Sequence, residues 1–259
     1  MPIEKTEEQF QYKTLKANNQ TIAYRVDGRI SDGPNPVKPN LLFLPGFFSD
    51  MMGSKASFLA ARCIANNRQL TRFDYSGHGK SSGQFIDGCI GDWFKDALAV
   101  LDEVTTGKLI LVGSSMGGWI MLMLALARPE RVQGLVGIAA APDFTEDLMW
   151  DLFTPEQKTE IQEKGVIWEP SEYGAPVPYT LKLVQDGREH LVLRAPIAIT
   201  APVRLIQGKQ DKDVPWETAE KLRKRLQSKD VRILYVEDGE HRLSRDEDLE
   251  LLWKAVESL

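Results

Sequence analysis

Apolar segments of five to eight residues alternate with segments of helical periodicity along most of this chain. The segments 40–44, 108–112 and 132–139 are mostly apolar, which is typical of strands buried on both faces. Residues between them, such as 54–66, favour helices. Strands that alternate with helices form βαβ units. The sequence therefore predicts an α/β fold with a mostly parallel central sheet and helices on both of its faces.

The remaining elements follow from the same signals. Two amino-terminal strands, Tyr12–Leu15 and Thr21–Val26, are separated by an Asn18-Asn19 turn. Glycine and proline predict an exposed loop from Ser31 to Pro39, and Asp92 is predicted to cap the helix that follows it. Further strands are predicted at 69–73, 203–207 and 231–236, and further helices at 217–227 and from Asp246 to the carboxyl terminus.

The alternation stops between Asp143 and Arg194, which predicts an insertion of about fifty residues within a single domain spanning 1–259. Thr154 to Gln157 has the sequence of a capping box, and this predicts a helix that ends at Gly165. Residues 168–178 are rich in turn formers. Residues 180–186 favour a helix closed by Gly187, and half of an Asp-Gly hairpin is the alternative. We interpret the segment 143–194 as a helical lid over a site; the alternative is a subdomain without that role.

Charge and composition exclude several classes of protein. The net charge is −5 with no basic block, which excludes nucleic acid as a partner. The longest apolar run, Trp119–Ala127, has nine residues and is too short to span a membrane. Cys63 and Cys89 form no C-x-x-C motif and indicate a reducing compartment. The first nine residues are acidic and lack the apolar segment of a signal peptide, so the sequence predicts a cytoplasmic protein.

Residues 113–117, Gly-Ser-Ser-Met-Gly, match the pattern G-x-S-x-G between the strand at 108–112 and an apolar helix. A sharp strand-to-helix turn holds the central residue of this pattern at its apex, in a strained backbone conformation. Ser115 has glycine two positions away on both sides, whereas Ser114 has Val112 and Met116 there. Ser115 is therefore the predicted nucleophile.

A serine hydroxyl needs a neighbouring base near neutral pH. Among the three histidines, His241 follows the last predicted strand, at the edge where parallel sheets place their chemistry. We predict His241 as the base; His78, in a glycine-rich loop, is the alternative. The orienting carboxylate is predicted to be Asp211, after the strand at 203–207, with Asp213 and Asp143 as alternatives.

Two backbone amides are predicted to form an oxyanion hole. Gly46 follows the strand at 40–44 and lets the amide of Phe47 turn toward the site. The amide of Met116 lies at the start of the helix after Ser115, where unpaired N–H groups favour an anion. Both assignments follow from position alone.

These motifs, together with Asp-Tyr-Ser-Gly-His-Gly-Lys-Ser at 74–81 and Gly-Lys-Gln-Asp at 208–211, resemble the α/β-hydrolase superfamily over about residues 20–259. Residues 44–55, 117–120 and 138–147 are more narrowly similar to the α/β-hydrolase domain-containing protein 10 group. That group includes palmitoyl-protein thioesterases that also hydrolyse acyl glucuronides. Its animal members carry a mitochondrial targeting segment, which the first residues here lack, so we expect a bacterial relative or a mature form.

The resemblance implies a serine esterase or thioesterase that uses no metal or organic cofactor and acts on a small-molecule or acylated-protein substrate. A general small-ester carboxylesterase and a catalytically silent binding protein are the alternatives, and carbon–carbon bond hydrolases and cofactor-free haloperoxidases share the same triad. Large apolar residues beside the oxyanion loop and at the start of the insertion are predicted to surround an apolar acyl group. Besides Phe47 and Met116, these are Phe48, Met51, Met52, Phe144, Met149, Trp150 and Phe153.

Overall fold

The computed structural model describes residues 12–29, 38–171 and 174–259. Eight strands form one sheet in the order β1-β2-β4-β3-β5-β6-β9-β10. The pairs β1–β2 and β2–β4 are antiparallel, and all the others are parallel. The strands are β1 Lys13–Ala17, β2 Gln20–Asp27, β3 Asn40–Leu44, β4 Leu70–Phe73, β5 Leu109–Ser114, β6 Val132–Ile138, β9 Val203–Gly208 and β10 Val231–Val236. The predicted mostly parallel sheet is confirmed, and most of the loop predicted at 31–39 lies outside the described residues.

Seven α-helices accompany the strands: α1 Ser54–Ala65, α2 Ile90–Ala99, α3 Met116–Ala127, α4 Pro155–Lys164, α5 Leu181–Arg188, α6 Glu217–Arg225 and α7 Asp246–Glu257, within the described residues. Successive residues of β3 are buried on opposite faces of the sheet. Leu41 and Phe43 pack with residues of α1 and α7, whereas Leu42 and Leu44 pack with residues of α2, α3 and α6. Both faces are therefore covered, which is why β3 and β5 are mostly apolar.

The start of α2 differs from the prediction. The helix begins at Ile90 and its N-cap is Cys89, so Asp92 lies inside the first turn. There the Asp92 carboxylate accepts hydrogen bonds from Cys89 Sγ at 3.1 Å and from Lys182 Nζ at 3.0 Å. An aspartate is favourable anywhere near a helix N-terminus because the helix dipole attracts negative charge, so the residue type alone did not define the cap.

The insertion contains a hairpin where the sequence indicated only turns. Strand β7, Val166–Ser171, pairs antiparallel with strand β8, Gly174–Thr180, in a separate two-stranded sheet. Pro170, Pro176 and Pro178 suggested a break in regular structure. Both strands of an isolated hairpin are edge strands, where a missing backbone N–H is tolerated. The predicted capping box of α4, with Gly165 in the left-handed conformation after it, is confirmed.

Asp143 joins the two ends of the insertion. Its side chain is fully buried, and its two carboxylate oxygens accept hydrogen bonds from the amides of Val192 and Leu193 at 2.8 and 2.9 Å. Arg188 donates to Glu146 close by. These bonds hold the first residues of the insertion against its last residues.

The order of the strands determines where side chains can meet. The chain passes from β3 outward to β4 and then crosses back to β5 on the other side of β3. The loops after β3 and β5 therefore diverge at the carboxyl edge of the sheet and leave a crevice there, the usual place for a ligand in such sheets.

Candidate active site

Ser115 occupies a strained turn between β5 and α3. Its backbone angles are φ 53° and ψ −119°, a conformation that residues other than glycine rarely adopt. A Cβ on Gly117 would lie 2.1 Å from the carbonyl oxygen of Leu44, and one on Gly113 would lie 2.4 Å from that of Gly117. Only glycine at both positions allows the turn to pass so close to β3.

Ser115, His241 and Asp211 form a continuous hydrogen-bonded chain across three loops. Ser115 Oγ lies 3.1 Å from His241 Nε2, and His241 Nδ1 lies 2.9 Å from Asp211 Oδ2. Because a carboxylate only accepts hydrogen bonds, Nδ1 carries the imidazole proton and the Nε2 lone pair faces the serine. The three residues meet although 126 positions separate Ser115 from His241.

Both oxygens of the Asp211 carboxylate accept hydrogen bonds. Its side chain is fully buried. Oδ1 accepts the amides of Asp213 at 3.0 Å and Val214 at 2.9 Å, while Oδ2 accepts Gln207 Nε2 at 3.3 Å in addition to His241. These donors fix the direction in which Oδ2 points.

The alternative residues make different contacts. Ser114 is the last residue of β5. Asp143 is engaged with the amides that close the insertion, and Asp213 contributes its own amide to Asp211. His190, the third histidine, lies at the end of the insertion with Nδ1 2.8 Å from the Asp186 carbonyl oxygen.

His78 is packed into the core and not beside the serine. Its ring lies against Tyr75, Phe85 and Trp93, and Nδ1 is 3.1 Å from the carbonyl oxygen of Ser76. Burial lowers the pKa of His78 to about 4, so the ring is neutral at physiological pH. These contacts stabilise the loop after β4.

The two amides predicted to form the oxyanion hole lie on either side of the Ser115 turn. Met116 is the first residue of α3, where helical N–H groups have no partner within the helix. Phe47 follows Gly46, and a Cβ on Gly46 would lie 3.3 Å from Ser115 Cβ. In the part of the chain that the structure describes, the Phe47 amide donates no protein hydrogen bond.

Part of the predicted apolar set forms one aromatic cluster. Phe47 contacts Phe144 with ring centroids 5.6 Å apart and stacks on Tyr179 at 5.8 Å. Phe153 contacts Tyr179 at 6.3 Å and Trp150 at 6.5 Å. Tyr179 was missed because it lies in the unpredicted strand β8. Met149 and Met116 are buried in the same core.

The rest of the set lies in the loop after β3, where Phe48 contacts Phe85 at 4.8 Å and Phe85 contacts Phe47 at 4.9 Å. Phe48 is half exposed, with a left-handed φ of 56°. Met51 is buried, and its amide donates to Asp74 at 2.7 Å while its carbonyl accepts from Arg72 at 2.9 Å. Met52 is partly exposed. The predicted acyl-binding residues thus come from the insertion and from the loop after β3, and Phe47 contacts both groups.

A cavity of about 350 Å³ opens beside Ser115 and His241. Most of the side chains around it are polar or charged. The sequence analysis did not identify them because they come from several separate segments, chiefly the loop after β3, α1 and the loop after β10. Phe43, Gly46, Phe47, Phe48, Gly53, Ala56 and Ser114 line it together with Ser49, Asp50, Ser54, Lys55, Arg242 and Ser244.

Metal-ligand atoms also occur here. Asp211, Asp213 and His241 each place one within 4.8 Å of the others. An ion held by these three would occupy the imidazole and carboxylate atoms that now bond to one another, so it would disrupt the hydrogen-bonded chain to Ser115. No helix in the described ranges has the length and apolar character needed to cross a membrane.

Comparisons with known proteins agree with this architecture. The family model described as alpha/beta hydrolase fold matches residues 39–165. A solved structure of mouse alpha/beta hydrolase domain-containing protein 10 superposes with a TM-score of 0.85 at 34% identity, covering 96% of this chain and 98% of that chain. The crystal structure of a hydrolase from Agrobacterium vitis S4 superposes with a TM-score of 0.91 at 39% identity. The match covers 96% of this chain and 98% of that chain.

Curated relatives are similar along most of the sequence. The mouse protein named palmitoyl-protein thioesterase ABHD10, mitochondrial, is 39% identical over 225 residues, which cover 85% of this chain and 75% of the mouse protein. The human protein of the same name is 37% identical over 223 residues, with coverage of 85% and 72%.

The prediction of a cytoplasmic location is wrong on this comparison. The relatives named ABHD10 in five mammals are all named as mitochondrial proteins. That prediction depended only on the composition of the first nine residues, and the cellular location of a protein does not follow from so short a segment.

Proposed function

This chain belongs to the α/β-hydrolase family, and on that premise we propose that it is a serine hydrolase that cleaves thioesters and carboxylic esters of apolar acyl groups. The observation that carries the proposal is the hydrogen-bonded chain from Ser115 Oγ through His241 to the buried Asp211. Its relatives named palmitoyl-protein thioesterase support the thioester class.

In the first step, Ser115 Oγ attacks the acyl carbonyl carbon. His241 Nε2, 3.1 Å away, takes the hydroxyl proton, and Asp211 stabilises the imidazolium that forms. The carbonyl oxygen gains negative charge and is bound by the amides of Phe47 and Met116. The carbon–sulfur or carbon–oxygen bond then breaks, and His241 returns its proton to the leaving group.

In the second step, water hydrolyses the acyl-enzyme. His241 removes a proton from water as the water oxygen attacks the acyl carbon, and the same two amides bind the second oxyanion. Collapse of this intermediate returns the proton to Ser115 Oγ and releases the carboxylic acid. Water is consumed, and the products are the carboxylic acid and the protonated leaving group.

We assign the acyl group to the aromatic cluster formed by Phe47, Phe144, Trp150, Phe153 and Tyr179. Phe47 joins this cluster to the oxyanion loop, since its ring contacts Phe144 and Tyr179 of the insertion. The cluster is closely packed, so an acyl chain enters only where the insertion moves away from Phe47. The segment 143–194 therefore acts as a lid, with the Asp143 bonds as its attachment to the sheet.

A fluorophosphonate probe tests the nucleophile and separates an enzyme from a silent binding protein. The wild-type protein and Ser114→Ala are expected to be labelled, and Ser115→Ala is expected to lose labelling and about 10⁶-fold in kcat toward octanoyl thioesters. Ser114→Ala is the matched control, since it removes a hydroxyl one residue away. Labelling that survives in Ser115→Ala but not in Ser114→Ala would refute the assignment.

A further inference from the structure

The cavity beside Ser115 shares Phe47 with the aromatic cluster and is also lined by Phe43 and Phe48, but most of its side chains are polar or charged. Its charged side chains are Asp50, Lys55 and Arg242, so cations outnumber anions. The hydroxyl-bearing residues Ser49, Ser54 and Ser244 also line it. Hydroxyl groups and cations are ligands for an anionic group and are poor neighbours for a hydrocarbon chain.

Lys55 is held in a fixed position at this cavity. It lies in the first turn of α1, and Nζ donates a hydrogen bond to the carbonyl oxygen of Arg242, the residue after His241. An ammonium group has three donors, and this bond uses one of them. Lys55 therefore places a positive charge, with N–H donors beyond the one bonded to Arg242, beside the loop that carries the predicted base.

The charge on Lys55 is incompletely compensated. Burial, followed by the neighbouring Arg242 guanidinium, lowers the pKa of Lys55 to about 8, while the Asp248 carboxylate of α7 acts in the opposite direction. Asp50 is the anion among the cavity residues, and its Oδ1 accepts the amide of Met52 at 2.7 Å. An anion bound in the cavity would stabilise the charged form of Lys55.

We propose that this cavity is the leaving-group subsite and that Lys55 makes the enzyme prefer leaving groups that carry a carboxylate close to the scissile bond. This inference rests on the proposed function and extends it from the acyl side of the bond to the other side. If the aromatic cluster takes the acyl chain, the leaving group must depart from Ser115 in another direction, and the cavity lies directly beside Ser115 and His241. Its volume of about 350 Å³ is at the lower end of small-molecule sites.

The test compares two thioesters that differ only in charge. S-Octanoyl 3-mercaptopropionate carries a carboxylate, and S-octanoyl 3-mercaptopropanamide carries a neutral amide of nearly the same shape. We expect kcat/KM for the carboxylate to exceed that for the amide by about tenfold, as one charge-assisted hydrogen bond would give. In Lys55→Met the ratio is expected to fall to about one, and in Lys55→Arg most of it is expected to remain.

The ratio of kcat/KM for the carboxylate thioester to that for the amide thioester distinguishes a loss of substrate recognition from a disturbance of the fold. Loss of the Lys55 bond to the Arg242 carbonyl disturbs the His241 loop and lowers the rate for both substrates alike, so the ratio does not change for that reason. Lys95→Met, on the outer surface of α2, changes the net charge equally and is expected to keep the wild-type ratio. The wild-type ratio is also expected to decline as the pH rises through about 8, because Lys55 then loses its proton.

S-Octanoyl cysteine peptides with Asp or Asn after the cysteine show whether the carboxylate can come from a peptide. A preference in either pair that Lys55→Met removes supports the subsite, and the pair that shows it identifies the source. Equal kcat/KM values within both pairs, or a preference that Lys55→Met leaves intact, would overturn it. Failure of the proposed function is a separate result, since neither thioester would then be cleaved and Ser115 would not be labelled.

Discussion

Replacement of Asp211 by asparagine tests the proposed triad through the hydrogen bonds around a single carboxylate. Oδ1 accepts two backbone amides, from Asp213 and Val214, and Oδ2 accepts His241 Nδ1. In Asp211→Asn the side-chain oxygen must stay with the two amides, because an NH₂ group there would face two donors. The new NH₂ group therefore faces His241 Nδ1.

This arrangement forces the imidazole into the wrong tautomer. Nδ1 must accept from the NH₂ group, so the proton moves to Nε2, which then cannot take the proton of Ser115. The comparable substitution in a serine protease lowered kcat by about 10⁴-fold, which corresponds to ~5.5 kcal/mol of transition-state stabilisation. We expect a similar loss here, with a modest fall in the thermal midpoint, since the new NH₂ group also removes the acceptor of Gln207 Nε2 at 3.3 Å.

The assay is kcat for an octanoyl thioester, measured for Asp211→Asn, Asp213→Asn and Asp143→Asn in parallel with thermal unfolding. Asp143→Asn is the matched control, because its two oxygens each accept one backbone amide and an asparagine leaves one of these amides facing a donor. We expect it to lower the free energy of unfolding by about 1–3 kcal/mol and to leave kcat within a few fold. A larger loss of kcat in Asp143→Asn or Asp213→Asn than in Asp211→Asn would refute the reasoning.

Three further predictions concern the acyl group, the elbow and the pH dependence of stability. The kcat/KM value is expected to rise from acetyl to at least octanoyl thioesters by about fourfold for each methylene, because burial of one methylene contributes ~0.8 kcal/mol. A profile that peaks at acetyl would contradict an acyl site in the aromatic cluster. Gly117→Ala would place a Cβ 2.1 Å from the Leu44 carbonyl oxygen and is expected to destabilise the protein by about 1–3 kcal/mol, whereas Gly53→Ala, whose Cβ would be 3.6 Å from its nearest neighbour, is expected to be mild in the same thermal unfolding assay. Because the pKa of buried His78 is about 4, the unfolded state takes up its proton first as the pH falls, so this residue costs the folded protein about 3 kcal/mol between pH 6.5 and pH 4. In urea unfolding, the free energy of unfolding of the wild type is expected to fall relative to that of His78→Phe over this pH range. Burial raises the pKa of Asp96 to about 6, which has the opposite effect on stability but is present in both proteins. A difference between the two proteins that does not depend on pH would contradict this prediction.

Local chemistry was enough to predict most of the elements. Apolar runs such as 40–44 and 108–112 became β3 and β5, because a strand buried on both faces is mostly apolar. The capping box at Thr154 and the left-handed Gly165 bound α4 as expected, since both signals act within a few residues. The close approaches at Gly113 and Gly117 also follow from the spacing of two glycines around Ser115.

Residue types that are compatible with more than one local structure were less informative. Asp92 indicated a cap but lies inside the first turn of α2, because a carboxylate is favourable at either position. The prolines of 168–178 indicated turns, but the chain forms the hairpin β7–β8 there. In an isolated hairpin the missing N–H groups of proline face solvent, a condition that depends on the neighbours of a strand and not on its own sequence.

The sequence by itself determined the fold class and the candidates Ser115, His241 and Asp211, because each candidate follows a recognisable strand and such strands end at one edge of a parallel sheet. Only the tertiary structure selected Asp211 over Asp143, by placing one carboxylate at His241 Nδ1 and the other at the base of the insertion. It also brought Lys55 to the Arg242 carbonyl across 187 positions of the chain. No local pattern encodes such a contact, since it depends on how α1 and the loop after β10 pack at the same edge of the sheet.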